Sequence, residues 1–179
     1  MSATPEAAHA LESPSAWVAR WAPLVPATCA VLDVACGGGR HARYFAARGH
    51  AVEAVDRDSA ALAGLAGASN VTTRCADIEA AAWPYAGRTF GAIVVTNYLH
   101  RPFFPHLLAA LAPGGVLIYE TFALGNERYG RPANPDFLLK PGELLDVVRG
   151  ACRVVAYEDV AVEQPRPAMV QRLCALRAA

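Results

Sequence analysis

The sequence predicts an α/β fold: a seven-stranded, mostly parallel sheet with an antiparallel last strand and helices on both faces. Three observations carry that expectation. Short apolar runs, too short for helices, alternate with alanine- and leucine-rich helical stretches, as in a sheet buried on both faces. A glycine crest, Gly37-Gly38-Gly39, joins the first apolar run to the first of the alternating helices, where a missing Cβ lets the backbone approach a ligand. Two β-rich stretches close the chain, parted only by Glu163-Gln164-Pro165-Arg166-Pro167, a connection that makes an antiparallel hairpin and not a crossover.

At 179 residues the chain has the length of one domain with a proper core. A frayed, alanine-rich segment is expected over residues 1–12, with a single domain over 13–179. The hydrophobic fraction of 54% and charged fraction of 18% exclude a disordered chain. The formal charge is zero, so there is no global pull toward nucleic acid or anionic membrane. Positive charge is almost all arginine, Lys140 being the only lysine; with the abundant alanine this looks like a GC-rich bacterial coding sequence. The cysteines are odd in number and none lie in C-x-x-C spacing, against a disulfide framework or a zinc knot, and no metal site is expected. Cys29, Cys75, Cys152 and Cys174 sit at strand-like positions and are expected as small buried hydrophobes. Neither a signal pattern nor a membrane-spanning apolar run is present, which reads as a reduced, cytoplasmic protein.

The elements follow in order. Ser13-Pro14 offers an N-cap and a first-turn proline, and Trp17, Val18 and Trp21 form a stripe that lays the next helix on the sheet. Val31–Val34 is the first strand, Arg40–Arg48 a helix stopped by Gly49, and Ala51–Val55 a second strand ending on Asp56. Asp58 or Ser59 caps an Ala/Leu-rich helix that ends near Gly67. Residues 70–76 form a third strand followed by Asp77-Ile78, and residues 89–95 a fourth followed by Asn97-Tyr98-Leu99-His100-Arg101-Pro102. A helix from Phe103 to Ala112, a turn at Pro113-Gly114-Gly115 and a strand from Val116 to Thr121 come next. Residues 122–139 have little periodicity, and a loop of that length in a compact domain is functional or disordered; Tyr129, Phe137 and the adjoining leucines disfavour disorder. The expectation is a substrate lid, with a structural Ω-loop as the alternative. Pro141-Gly142-Glu143 opens a last helix with Leu144, Leu145 and Val148 inward, before the hairpin strands at 153–162 and 169–176.

The β-α-β unit around the crest is a nucleoside-cofactor site, because an acid ending the second strand, Asp56, can accept from both ribose hydroxyls. Gly37-x-Gly39-x-x-Ala42 fits the dinucleotide fingerprint, but that fingerprint seats a pyrophosphate on a helix N-terminus and has no need of Asp33. Asp33-x-Ala35-x-Gly37-x-Gly39 instead resembles motif I of the class I S-adenosylmethionine (SAM) methyltransferases, D/E-x-G-x-G-x-G, with Ala35 at the first glycine. Asp77-Ile78 after the third strand and Leu111-Ala112-Pro113-Gly114-Gly115 before the fifth match further hallmarks, so the resemblance runs from about Val31 to Thr121. It implies a Rossmann-like class I methyltransferase fold, SAM as cofactor and methyl transfer as the activity. It also implies a cofactor set of Asp33, Ala35, Cys36, Gly37, Gly39, Asp56, Arg57, Asp77, Ile78 and Asn97, with Asp77 toward the adenine amino group. For Asp77 a plain turn-cap role stands beside this, and for Cys36 plain packing.

Methyl transfer is an in-line displacement that depends on proximity and alignment, so catalytic residues are expected after the fourth strand. Asn97, Tyr98 and His100 stand there. His100 titrates near neutrality and is the candidate base, against a histidine that merely bonds a loop carbonyl. Arg101 suits an anionic acceptor, and Glu120, Asn126, Tyr129 and Arg131, together with Arg128 and Asn134, are the candidates to complete the substrate pocket. Asn97 is not followed by Pro-Pro-Tyr, so the motif for methylating amino groups of bases or glutamine is missing. The short chain looks most like small-molecule methyltransferases of the tellurite-resistance and thiopurine type. Two alternatives stand beside it: a methyltransferase acting on tRNA or protein with a partner, and a non-catalytic SAM-binding module.

Overall fold

The strand β1 (Ala30–Val34) is the middle of the molecule because its side chains alternate between two cores. Leu32 and Val34 point to one face, Val31 to the other. The computed structural model describes residues 13–178; the segment expected to be frayed, 1–12, lies outside them. The other strands are β2 (Ala51–Asp56), β3 (Val71–Cys75), β4 (Phe90–Thr96), β5 (Leu111–Phe122), β6 (Cys152–Val162) and β7 (Ala168–Arg177). They form one seven-stranded sheet in the order β3-β2-β1-β4-β5-β7-β6. The pairs from β3 to β5 are parallel, and β7 runs antiparallel to both β5 and β6, as the short connection at 163–167 requires.

The same period-2 alternation assigns helices to each face. On one side α1 (Ala16–Trp21), α2 (Arg40–Ala46) and α3 (Ser59–Ala63) put Trp17, Val18, Phe45, Leu62 and Leu65 (just past α3) over Val31, Val94 and Ile118. On the other, α4 (Phe104–Ala110) and α5 (Glu143–Val148) put Phe104, Leu107, Leu144 and Val148 over Leu32, Ile93 and Leu117. Trp17 is a core anchor, and its indole N–H donates to Leu173 O at 3.2 Å.

Four local expectations differ from the structure. The cap of α1 is Ser15 and not Ser13: its Oγ accepts from Val18 N–H, while its own N–H donates to His41 Nε2 at 3.1 Å. The helix expected over 103–112 is a 3-10 turn at Arg101–Phe103 followed by α4, which stops at Ala110. Strand β5 already begins at Leu111 and absorbs the Pro113-Gly114-Gly115 turn as an irregularity, with a register shift opposite Phe90–Ala92. Cys75 is exposed, because β3 is an edge strand largely uncovered on both faces; Cys174 and Cys36 are buried and Cys29 and Cys152 half-buried.

Register positions the site. Val34 is level with Val55 and Val95, Asp56 with Cys75, and Thr96 with Glu120. The segments leaving β1 to β5 therefore emerge along one edge, where open α/β sheets bind ligands.

Candidate active site

The turn after β1 is built by carboxylates beneath it and by residues forced to positive φ. Asp33 is buried, and its Oδ2 accepts from Ala42 N–H at 2.9 Å, tying the strand to the first turn of α2. Asp56 ends β2; its Oδ2 accepts from Gly37 N–H at 2.7 Å and its Oδ1 from Asp58 N–H at 2.9 Å. The loop so held has Ala35 at φ +51°, Gly37 at +51° and Gly39 at +75°. The two outer glycines differ in what they serve. A Cβ on Gly37 would meet nothing, whereas one on Gly39 would stand 2.4–2.6 Å from the Leu65 side chain, so Gly39 serves helix packing.

Above this turn lies a cavity of about 410 Å³, lined by segments from the ends of five strands. Ala35, Asp56, Arg57, Asp77 and Ile78 form one side together with Glu79; Asn97, Tyr98 and Leu99 come from the end of β4; Thr121 and Phe122 at the end of β5, with Pro132 and Phe137 from the loop after it, form the other side. The volume is that of a small-molecule site. Asp77 uses Oδ1 to accept from Glu79 and Ala80 N–H at 2.9 and 3.2 Å, a turn cap that leaves Oδ2 available to the cavity. Asn97 sits at φ +55° with its N–H donating to Glu120 O. The Tyr98 hydroxyl donates to Glu79 Oε1 at 3.0 Å, and burial first, then this carboxylate, pushes its pKa up.

Several expected site residues stand elsewhere. Cys36 is buried against the turn, its thiol pKa raised by burial and then by Asp33 and Asp56. Asp33 likewise acts from below the turn and does not line the cavity. His100 is half-buried outside the lining, with its ring 5.6 Å from that of Phe103. Arg101 is spent on the protein itself: Nε and Nη2 bond Glu143 at 2.6 and 3.0 Å, Nη1 bonds Asp136 O at 2.7 Å and Nη2 also Leu138 O at 2.9 Å. Glu120 is buried in an ion pair with Arg172 at 2.5 Å, and Arg172 also reaches Glu158. Asn126 is buried, donating to Pro132 O and accepting from Met169 N–H, so it shapes the loop from inside. Tyr129, Arg128 and Arg131 are exposed outside the lining, and Asn134 caps the turn at Pro135–Phe137.

The 122–139 segment folds around two 3-10 turns, Asn126–Arg128 and Pro135–Phe137. Its neck is closed by Leu139 N–H to Phe122 O and Leu124 N–H to Leu139 O, with Leu138 and Leu139 buried beneath, which is an Ω-loop closed on itself. It serves as a wall of the cavity through Phe122, Pro132 and Phe137. Glu79 and Phe137 were missed by sequence reasoning. Glu79 has no local signal, being a charged residue in a turn; Phe137 has one, an aromatic stranded in a loop of Pro, Asn and Gly.

The donor set fits SAM. Asp56 and Asp77 are acceptors for hydroxyl and amino hydrogens, Ile78 is apolar, and three carboxylates face a single guanidinium, Arg57, around the cavity, a surrounding that favours a cation.

Residues 31–115 match the model of a family described as a methyltransferase domain. Among solved structures, TehB from Haemophilus influenzae superposes with a TM-score of 0.74 at 21% identity, over 91% of this chain. The chain spans only 61% of that protein's length. An S-adenosylmethionine-dependent methyltransferase from Mesorhizobium loti superposes at 0.69 and 16% identity over 91% of this chain and 99% of its own. The glycopeptide N-methyltransferase MtfA complexed with S-adenosyl-L-homocysteine (SAH) superposes at 0.61 and 21% identity, over 89% of this chain and 88% of its own. At these identities the likeness is one of fold. No curated protein matches the sequence.

Proposed function

We propose that this chain is a SAM-dependent methyltransferase of the class I superfamily, a reading supported by the match of residues 31–115 to a methyltransferase-domain family, and that it passes the methyl group to a small molecule. The observation that carries the acceptor class is the cavity of about 410 Å³ at the strand ends, walled on one side by the protein's own 122–139 loop. A concave space of that size is what a small-molecule ligand fills. SAM supplies a methyl on a sulfonium, an electrophile that needs only a positioned nucleophile.

In this reading Asp56 accepts from the ribose hydroxyls, Asp77 through its unused Oδ2 from the adenine amino group, and Ile78 packs on the ring. Gly37 and Ala35 leave backbone space for the methionine end, and Asn97 presents its carboxamide there. Asp33 acts as a positioning residue, holding the first turn of α2 against the cradle through Ala42 N–H. Tyr98 orients the acceptor; donating its proton to Glu79, it offers oxygen lone pairs to the cavity. His100 is assigned to packing against Phe103, since an acceptor that attacks uncharged requires no base to start the transfer. The setting proposed is the cytoplasm, and the arginine-rich composition supports a bacterial source; among the described residues no helix is long and apolar enough to cross a membrane.

The test is incubation of the purified chain with methyl-labelled SAM and a lysate separated into metabolite, RNA and protein fractions. Label is expected in the metabolite fraction. Label confined to RNA or protein would overturn the small-molecule assignment, and SAM binding with no labelled product would make the chain a binding module.

A further inference from the structure

Phe137 is 54% exposed, yet it is among the most firmly mounted residues of its loop. The carbonyls on either side of it, Asp136 O and Leu138 O, both accept from Arg101 at 2.7 and 2.9 Å. Arg101 is itself fixed by the two-point contact with Glu143 at 2.6 and 3.0 Å. Glu143 in turn accepts from Lys140 N–H at 2.8 Å, and Leu138 and Leu139 are buried. Exposed apolar surface of this size costs free energy, and a rigid bidentate mount removes the option of folding it away. Phe137 faces the cavity together with Phe122 and Pro132, so the outer wall is apolar and preorganised.

We propose that the methyl acceptor is an uncharged molecule with a flat apolar face, seated on Phe137, Phe122 and Pro132, and that Arg101 is the positioning residue holding this wall. The proposal rests on the methyltransferase reading above and adds the chemistry of its second substrate. Hydrogen bonds already engage four of the five N–H donors of Arg101, so an anion there would have to compete with Glu143. The lining itself carries Asp56, Asp77 and Glu79 against Arg57 alone, and Arg57 follows Asp56 at the far side from the loop. Arg166 lies 5.6 Å from the Phe122 ring but does not line the cavity. A flat face suits three apolar groups of which two are rings. In the transfer the acceptor's heteroatom gives its lone pair to the methyl carbon, and the carbon–sulfur pair stays with sulfur. Any proton on the heteroatom leaves to water.

The experiment is calorimetric binding of three probes to the full chain saturated with SAH. They are 2-naphthol (uncharged and planar), decahydro-2-naphthol (uncharged and puckered) and 2-naphthoate (planar and anionic). Expected is 2-naphthol binding about tenfold more tightly than either of the others. Phe137→Ala, a surface change that leaves the fold intact, should weaken 2-naphthol by about tenfold and leave the Kd for SAM within about twofold. Phe137→Tyr should restore it. Arg101→Met should weaken 2-naphthol by about fivefold at unchanged SAM affinity; equal losses for both ligands would overturn its positioning role. Tighter binding of 2-naphthoate, indifference to Phe137→Ala, or no probe bound by a protein that still binds SAM would each overturn the acceptor class. Failure of the wild-type chain to bind SAM would instead overturn the methyltransferase reading itself.

Discussion

Asp33 and Asp56 are both acids of the β1–α2–β2 unit, and their surroundings separate them. Asp56 reaches the cavity, while Asp33 is sealed beneath it with its pKa pushed up to about 7 by burial, against the opposing pull of Ala42 N–H and Arg40 and with Asp56 adding to the rise. A carboxyl whose folded value lies above its unfolded one holds its proton more firmly in the folded state. Its contribution to stability is thus full below about pH 4 and is lost as pH rises through about 7. Chemical denaturation should find the wild type losing on the order of 2 kcal/mol between about pH 5 and pH 8 relative to Asp33→Asn, which keeps an acceptor for Ala42 N–H. A constant difference between the two proteins across that range would show that Asp33 is ionised throughout. The sequence marks Asp33 as an acid in a motif; only the fold shows that it lies deep in the sheet and supports the turn through Ala42 N–H.

Among the elements, α2 and α3 meet where Gly39 leaves no room for a side chain. Gly39→Ala combines a left-handed φ of +75° with a Cβ inside the Leu65 side chain, and should cost about 2–4 kcal/mol in urea unfolding. Adding Leu65→Ala should recover the packing part and not the backbone part. A single-variant loss below about 0.5 kcal/mol would show that the helices simply move apart. The same helix pair carries His41, buried between Ser15 N–H and Thr96 Oγ1, its pKa lowered to about 3 by burial and then by Arg40. It stays neutral and pins α1 to the end of β4. Strand and helix types were legible from apolar runs and glycine punctuation. Boundaries at Ser15, Ala110 and Leu111 were not, because long-range partners, His41 for the cap and Phe90 for the strand, decided them.

Across the whole molecule, ligand binding and folding are linked. SAM at about 100 times its Kd should stabilise the folded chain by about 2.7 kcal/mol. For a protein of this length that raises Tm by about 5–10 °C. Asp56→Ala, which removes a charge-assisted acceptor worth about 1.5–3 kcal/mol, should retain less than half of that shift at the same concentration. A shift of the same size in Asp56→Ala would place the cofactor elsewhere. Thermal unfolding with and without SAM reads both outcomes.

The sequence by itself determined the seven-stranded sheet, its mostly parallel order with an antiparallel end, and the acids that stand at the strand ends beside the cavity. These rest on local patterns: apolar runs, a glycine turn, and acids at strand ends that register then brings level. The wall contributed by the 122–139 loop was decided only in three dimensions. Arg101, Glu120 and Asn126 look like substrate ligands along the chain, but each finds a partner distant in sequence, at Glu143, Arg172 and Met169. Phe137 acquires its place because its neighbours' carbonyls are gripped by a residue from another loop. Whether a polar side chain in a loop serves a ligand or the protein depends on which donors and acceptors the fold has already paired with it, and that pairing is a property of the folded chain alone.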